Sequence, residues 1–499
     1  MVRRWGRARW AMVVFLLLAW ALRLPPLLDN RFHPDEALYG YWGLLIGPGQ
    51  DPWLVAAPVY KPPLLPYLIA GAQALLGNHE FTVRLPGLAA GVLTVPLVAA
   101  LAHSLYRDRG GAMAAAASVA LSPFAILFSA TAFTDPLMVV MGLAACVAAA
   151  RGRPARAGLL AGLALATKQT GLVWLPLVAL VQISNPKIKP RAIPLIIGHW
   201  SLVILLVFAW DAMRVAQGAE SFWRMGVTGY GGLRLIWPQE LWARLRGWAG
   251  LMRYIFVSPV VNGALLLGLP LLIWNSIQIP NIKSPLSNLG CYTRESLVDL
   301  FLIFFLLTYL FLHWLLAFPV WDRYLLSLVP VLAILLARVL VLLASYIRST
   351  TRNLPLFIVH CSLLVSLALP AWNASHSRYP VGGDHGAYDG IEKVAAFLRE
   401  LPAGAVVYQH WLGWQYAYYL FGGPVCLAYW PTPAWLARDV QAFGAGDPRY
   451  ITFPSWEQSA RVKSALAGAG YGLESVLTTT RRDGTRSFTV YHIQALEDQ

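Results

Sequence analysis

The sequence predicts a polytopic α-helical membrane protein with a small α/β domain at its C-terminal end. Three observations predict it. Apolar residue types make up 58% of the 499 residues and charged types only 13%, where a soluble domain carries about 25% charged residues. Apolar runs of about 18 or more residues recur, each long enough to cross ~30 Å of hydrocarbon. After Trp372 the composition changes, and helix-like and strand-like segments alternate. Disorder is excluded, because too much apolar surface would be left in water.

The net charge of +15 does not point to nucleic acid. Most basic residues sit in short loops between apolar runs, which is the ordinary topogenic signal. Of the four cysteines, Cys146 and Cys361 fall inside apolar runs, Cys291 in a basic loop and Cys426 near the C-terminus. No CxxC occurs, so no disulfide or metal framework is expected.

Loop charges order the spans. Arg3, Arg4, Arg7 and Arg9 precede the first apolar run, residues 10–28, and place the N-terminus in the cytoplasm. No small-residue cleavage site follows, so the run is read as a retained span. Residues 29–61 then lie on the outer face. The next apolar stretch, 62–77, is short for a span and reads as an interfacial or re-entrant helix. With it lying in the interface, spans at 85–103, 111–128 and 136–150 put Arg107, Arg109, Arg151, Arg153 and Arg156 inside. Residues 157–183 stand between two inside loops, the second holding Lys187, Lys189 and Arg191, so this stretch goes out and comes back. Its arms are too short to cross at about 1.5 Å per residue. It reads as a hairpin of two short helices with Lys168 near the apex. Further spans are expected at 193–210, 251–274, 297–318, 324–344 and 354–369, with Lys283, Arg294, Arg348 and Arg352 inside. The expectation is about nine full spans plus the hairpin in residues 1–372, with interfacial helices in 31–77.

Residues 373–499 are left on the outer face. Helices are expected at 391–400, 411–421, 433–443 and 457–468. They alternate with strands at 405–409, 424–430 and 449–453, and a closing hairpin of 471–478 and 487–494 turns at 482–484. This alternation is that of a small α/β domain. The sequon at Asn373 is short enough to arise by chance and carries no weight.

A few charged residues sit where chemistry is done. Asp35 and Glu36 begin a helix just past the first span, after Arg31 and His33. Pro34 is tolerated in a first turn, and the helix dipole favours carboxylates there. A solvated helix start explains the pair equally well. Lys61 heads the short helix before Pro62 and Pro63; it either snorkels to lipid phosphates or is held as a fixed cation. Asp135 and Arg323 lie at outer span ends, Arg323 beside Asp322. Lys168, inside an apolar hairpin, needs a partner or a cavity. Loop charge puts Asp35, Glu36, Lys61, Asp135 and Arg323 at one membrane face, with Lys168 just below it. Carboxylates deprotonate an acceptor or hold a divalent ion, and cations neutralise a phosphate leaving group. The set suits group transfer from a lipid phosphate.

Six short motifs in one order carry a resemblance. They are Asp35-Glu36 after the first span, Lys61-Pro62-Pro63-Leu64, Arg84-Leu85-Pro86-Gly87, Thr134-Asp135-Pro136-Leu137, Gly162 with Thr167-Lys168, and Arg323-Tyr324-Leu325-Leu326. Over residues 1–345 the chain resembles the polyprenyl-phosphate-dependent glycosyltransferases of the GT-C superfamily. The group is family 39, the protein mannosyltransferases and lipid A aminoarabinose transferase-like proteins. The resemblance implies a GT-C fold and an inverting transfer from a sugar on dolichyl or undecaprenyl phosphate. It implies Asp35 as the acid that positions or deprotonates the acceptor, Lys61 as a donor-phosphate ligand and Asp135 as a second acid. Two positions depart from the family pattern. Leu38 stands where many relatives carry Arg, so Arg31 or His33 would have to substitute. Tyr60 stands where lipid A-type relatives often carry Glu, which weakens a metal site there.

The sequence thus reads as a membrane glycosyltransferase, mannosyltransferase-like, of the hexosyl or pentosyl class. The catalytic candidates are Asp35, Glu36 and Asp135, and the donor-phosphate candidates Lys61, Arg31, Lys168 and Arg323. A divalent ion, Mg or Mn, would sit on Asp35, Glu36 and Asp135; no organic cofactor is expected. The acceptor, a protein, lipid or glycan, would approach from the outer face of the plasma (inner) membrane. Arg214, Arg224, Arg234, Arg244 and Arg246, in the outer loop 211–253, read as lipid-headgroup anchors slightly more readily than as ligands. A transporter or flippase would need charge through the midplane or inverted repeats. A non-catalytic assembly protein would not need Asp35, Lys61 and Asp135 to converge.

Overall fold

The computed structural model describes residues 2–184, 191–228, 234–277, 294–348, 355–444 and 446–496. Lys187, Lys189, Lys283, Cys291 and Arg352 lie outside them. The chain forms two compact units. The first comprises Met1–Leu28, Asp51–Leu68 and Arg84–Gly382; the second comprises Asp29–Gln50, Ile69–Val83 and Gly383–Gln499. The C-terminal part of the second unit begins at Gly383 rather than at the expected 373, and two early segments, one carrying Asp35, belong to it.

The chain opens with α1 (Val2–Asp29), α2 (Pro34–Ile46), α3 (Leu64–Leu76) and α4 (Glu80–Tyr106). The two helices expected in 31–77 are α2 and α3. At 13 residues, α3 is about 20 Å long, short of a ~30 Å hydrocarbon layer. α5 (Arg109–Leu121) and α6 (Pro123–Ser129) are bent by 56° at Ser122. The bend is written in the sequence: the Ser122 hydroxyl accepts from the Ala125 amide and donates to the Ile255 carbonyl at 2.6 Å, and Pro123 suits a first helical turn.

α7 (Thr134–Ala150) and α8 (Pro154–Thr167) pack side by side, and a 3₁₀ turn (Gln169–Val173) leads into α9 (Trp174–Ile183). α8, this turn and α9 occupy the stretch 157–183 that the sequence reads as a hairpin. Lys168 breaks it with extended backbone, φ −155° and ψ 139°. Then come α10 (Ala192–Ala216), α11 (Phe222–Thr228), α12 (Leu241–Met252), α13 (Pro259–Ile277) and α14 (Arg294–Leu315). A second 3₁₀ segment (Asp322–Ser327) runs into α15 (Leu328–Arg348), followed by α16 (Pro355–Ser375).

Among the described residues, six helices are long and apolar enough to cross a membrane, or seven if the bent pair is one span. The sequence led us to expect about nine. The difference lies in two places: α7 has only 17 residues, and the described apolar part of α16 is the short segment Cys361–Ser375.

In the first unit α4 lies hard against the segment before α7. A Cβ on Gly87 would land on the Thr131 carbonyl, so this motif glycine permits close backbone approach. Arg23 is fully buried. It donates to the carbonyls of Ala19, Val119 and Ala120 and to the Ser129 hydroxyl, tying α1 to both halves of the bent pair.

The second unit holds a five-stranded sheet in the order β2-β1-β3-β5-β4. Its elements are α17 (Ile391–Arg399), β1 (Val406–Gln409), α18 (Gly413–Tyr419), β2 (Cys426–Tyr429), α19 (Pro433–Phe443), β3 (Arg449–Pro454), α20 (Ala460–Ala467), β4 (Tyr471–Thr480) and β5 (Arg486–Ala495). β1 pairs parallel with β2 and β3, while β5 pairs antiparallel with β3 and β4. Alternate residues face opposite sides. Val407, Phe488 and Val490 pack with α17 and α18, whereas Tyr408, Ile451 and Ile493 pack with α19 and α20. α2 rests on α18. The Tyr418 ring fills the space a Cβ on Gly40 would need, and Phe32 meets that ring edge-on at 4.9 Å.

Candidate active site

Asp135 stands in the first turn of α7 and Lys168 at the C-cap of α8. The helix dipoles favour an anion at the first position and a cation at the second. The two side chains meet: Lys168 Nζ lies 2.5 Å from Asp135 Oδ1, with side-chain exposures of 3% and 1%. The ammonium also lies over the Tyr324 ring, 4.4 Å from its centre. A buried charge in an apolar bundle is tolerated when it is paired in this way.

Arg323, next to Tyr324, is buried as well. Its guanidinium lies 4.3 Å from the Trp321 ring centre and 5.4 Å from that of Phe133. The Asp322 carboxylate accepts from the Arg323 amide at 2.8 Å and from the Gly382 amide at 2.8 Å. Asp322 thus shapes the backbone at this turn, while two aromatic faces flank the guanidinium.

Lys61 joins the same region through its neighbour. The Gln169 amide, one residue after Lys168, donates to the Tyr60 carbonyl at 2.7 Å. Lys61 is only 6% exposed, which disfavours a side chain reaching out to lipid phosphates. Its ammonium lies over the Tyr60 ring at 5.0 Å. An aromatic face therefore stands beside the cation at the position where lipid A-type relatives often carry Glu. The first unit thus gathers Lys61, Asp135, Lys168 and Arg323. Reading the sequence alone missed Trp321, Phe133 and Gln169 and gave Tyr324 only as a motif neighbour of Arg323; adjacency to the charged motifs was the available signal.

Asp35, Glu36 and Arg31 belong to the second unit. His33 caps α2: its Nδ1 accepts from the Asp35 amide at 3.2 Å, and the Glu36 carboxylate accepts from the His33 amide at 3.1 Å. This is a reciprocal capping box. Glu36 is fully buried while Asp35 is partly exposed. Two adjacent acids thus have separate environments, and Glu36 has a structural task. Burial alone would weaken the Arg31 cation, but Glu80 at 3.3 Å and Glu392 at 3.7 Å outweigh it and raise its pKa. Tyr419 also donates to Glu80, at 2.5 Å. Leu38 is buried in α2. Both side chains that were to substitute for an arginine there, Arg31 and His33, are engaged in local structure.

The second unit also supplies residues not singled out from the sequence. Burial raises the Tyr388 phenol to about 12, helped by the charges of Asp384 and Asp35 and opposed by a hydrogen bond with Gln415. Asp384 in turn accepts from the Tyr388 amide at 3.1 Å. Tyr388 and Asp384 therefore belong to the surroundings of Asp35.

Asp135 is paired with Lys168, and Glu36 caps its own helix. Among the described residues no three His, Cys, Asp or Glu side chains gather as a metal site.

The basic segment 211–253 is also corrected in part. Arg214 is fully buried. It binds Asp211 at 3.0 Å and donates twice to the Leu54 carbonyl. Arg244 donates to the carbonyls of His313, Trp314 and Leu316. These two hold the fold rather than lipid.

Comparisons with known proteins now bear on this arrangement. Residues 60–210 match the family described as dolichyl-phosphate-mannose-protein mannosyltransferase, a stretch that contains Lys61, Asp135 and Lys168. None of the curated proteins matches the chain by sequence. In structure it is similar to ArnT from Cupriavidus metallidurans in the apo state. The TM-score is 0.64 at 14% identity, over 98% of each chain. It is similar to the same protein bound to undecaprenyl phosphate, with TM-score 0.61 at 13% identity over 97% of this chain and 98% of that one. The fold is GT-C. The arabinofuranosyltransferase AftD from Mycobacteria also matches, with TM-score 0.51 at 16% identity, over 100% of this chain and 42% of the other. The likeness to ArnT spans the apolar helices and the small C-terminal sheet alike.

Proposed function

We propose that this chain is a membrane glycosyltransferase that moves a sugar from a polyprenyl phosphate to an acceptor at the outer membrane face. The observation that carries the reading is the buried cation group of the first unit. Lys61, Lys168 and Arg323 are all buried, two of them within the stretch that matches the mannosyltransferase family. Undecaprenyl phosphate bound to the structurally similar ArnT supports the donor class.

The proposed chemistry is a single displacement. The Asp35 carboxylate takes the proton of the acceptor group. The acceptor atom attacks the anomeric carbon, and the bond from that carbon to the phosphate oxygen breaks. Attack opposite the leaving group inverts the anomeric centre. The phosphate leaves with the bonding electrons, and Lys61 and Arg323 neutralise its charge. Asp135 holds Lys168 in place. The sugar is a hexosyl or pentosyl unit. The topology that serves this reading has a cytoplasmic N-terminus and an outward-facing C-terminal domain in the plasma membrane.

Donor binding tests the reading. Purified protein should bind undecaprenyl phosphate, and Lys61→Ala should weaken that binding by about tenfold or more, since a charge-assisted contact is lost. Lys61→Arg should restore it only in part, because a planar fork does not replace a point charge. Equal binding by Lys61→Ala and wild type would remove Lys61 from the donor site.

A further inference from the structure

The displacement proposed above uses neither Gln169 nor Gly226, yet both stand beside its cations. Lys168 is built into a fixed turn. Its amide donates to the Ala164 carbonyl at 3.2 Å, and its carbonyl accepts from the Gly171 amide at 2.8 Å. A Cβ on Gly171 would strike the Ala164 carbonyl, so the turn folds tightly onto α8. Lys61 is placed differently. It lies in the irregular segment between α2 and α3, where no helix or strand ladder satisfies the backbone polar groups and other partners must hold the chain.

Gln169 joins the two. Its Nε2 donates to the Tyr60 carbonyl at 2.7 Å, across 109 residues of sequence. The acceptor residue precedes Lys61 and the donor residue follows Lys168, so this bond ties the backbones of the two cations together. Gly226 of α11 seats on it. A Cβ there would come 2.8 Å from Gln169 Nε2 and 3.2 Å from the Tyr60 oxygen. The amide ends a flexible side chain, so a methyl would push it off the carbonyl and leave the backbone in place. α11 is held in turn from α10. The Asp211 carboxylate accepts from the Phe222 amide at 3.1 Å and from the Ser221 hydroxyl at 2.6 Å.

We propose that Gln169 is a positioning residue for the donor phosphate and that it acts through Lys61. The rigid Lys168 turn, by way of the Gln169 amide, fixes where the Lys61 backbone stands. Glycine at 226 keeps that amide on the Tyr60 carbonyl. A cation already in place binds phosphate more tightly than one that must be ordered on binding. The inference deepens the glycosyltransferase reading and rests on its assignment of Lys61 to the donor.

Binding of radiolabelled undecaprenyl phosphate to the full-length protein in detergent tests it, with thermal unfolding measured alongside. Gln169→Ala and Gly226→Ala should each weaken binding about three- to tenfold, the worth of one lost hydrogen bond. Alanine is a better helix former than glycine, so Gly226→Ala should not lower the melting temperature. The losses should be nested rather than multiplied. Gln169→Ala with Gly226→Ala should bind as Gln169→Ala does. Lys61→Ala with Gln169→Ala should bind as Lys61→Ala does, which a residue that only holds the fold would not give. Should Gln169→Ala fold poorly, Gly226→Ala and Gln169→Leu carry the same comparison. Wild-type affinity in Gln169→Ala or Gly226→Ala overturns the proposal, and so do losses that multiply. A wild type that binds no undecaprenyl phosphate, or a Lys61→Ala that binds it as well as wild type, overturns the donor reading itself and this inference with it.

Discussion

Lys168 and Asp135, 33 residues apart in sequence, form an ion pair of 2.5 Å between the C-cap of α8 and the first turn of α7, with almost no solvent contact. Each charge sits where its helix dipole favours it. Removing one partner leaves the other buried and uncompensated. Lys168→Met should therefore destabilise the protein by about 3–5 kcal/mol. The double change Lys168→Met with Asp135→Leu should recover most of that loss while leaving the enzyme inactive. Thermal unfolding in detergent reads the first effect and sugar transfer the second. Equal melting of Lys168→Met and wild type would show that the pair does not hold the hairpin.

Asp35 and Glu36 are neighbours with opposite tasks. Asp35→Asn keeps size and hydrogen bonding but removes basicity, so turnover should fall roughly 10²–10⁴-fold with folding and donor binding intact. Glu36→Gln keeps an acceptor for the His33 amide, so its effect should be mild. Glu36→Ala loses the cap and should cost about 1 kcal/mol of stability. If Glu36→Gln abolished turnover and Asp35→Asn did not, the base would be misassigned by one residue.

The topology makes a separate prediction. Residues 62–77 should not cross the membrane, so tags at Arg31 and Arg109 should report opposite faces. Labelling of both from outside would put the Asp135 end of α7 on the wrong side for the chemistry.

Asp389 gives a pH prediction. Burial raises its pKa, but the Arg482 hydrogen bonds and charge outweigh burial and leave it depressed. A depressed carboxylate stabilises the fold above its unfolded pKa of about 3.9 and loses that contribution as pH falls through the folded value. Asp389→Asn should therefore lower the melting temperature at neutral pH. The gap to wild type should close progressively below about pH 4. A gap that widened on acidification would contradict this sign.

Much of this was legible in the sequence because its signals are local. The Asp-Glu helix start, the break at Lys168 and the order of helices and strands after Ile391 follow from caps, dipoles and alternation, and the observed elements match them closely. Long-range partnership was less legible. Nothing local says that Glu80 and Glu392 hold Arg31, that Arg214 turns inward to the Leu54 carbonyl, or that Tyr324 lies under Lys168. Charge in a loop predicts sidedness, not whether the side chain faces lipid, water or a buried carbonyl. The bend at Ser122 also escaped notice, because a serine and a proline inside an apolar run leave its mean hydropathy high.

The central claim is that the chain transfers a sugar from a polyprenyl phosphate with Asp35 as the base. Its most direct test is transfer of labelled sugar from undecaprenyl-phosphate donors, offered as a panel of hexoses and pentoses together with an extract of outer-face lipids, glycans and proteins as acceptors, to purified wild type and Asp35→Asn. Wild type should turn over at least one donor to free undecaprenyl phosphate. Asp35→Asn should bind that donor normally and turn it over roughly 10²–10⁴-fold more slowly. Equal turnover by the two proteins would contradict the role of Asp35, and no turnover of any donor by wild type would contradict the claim itself.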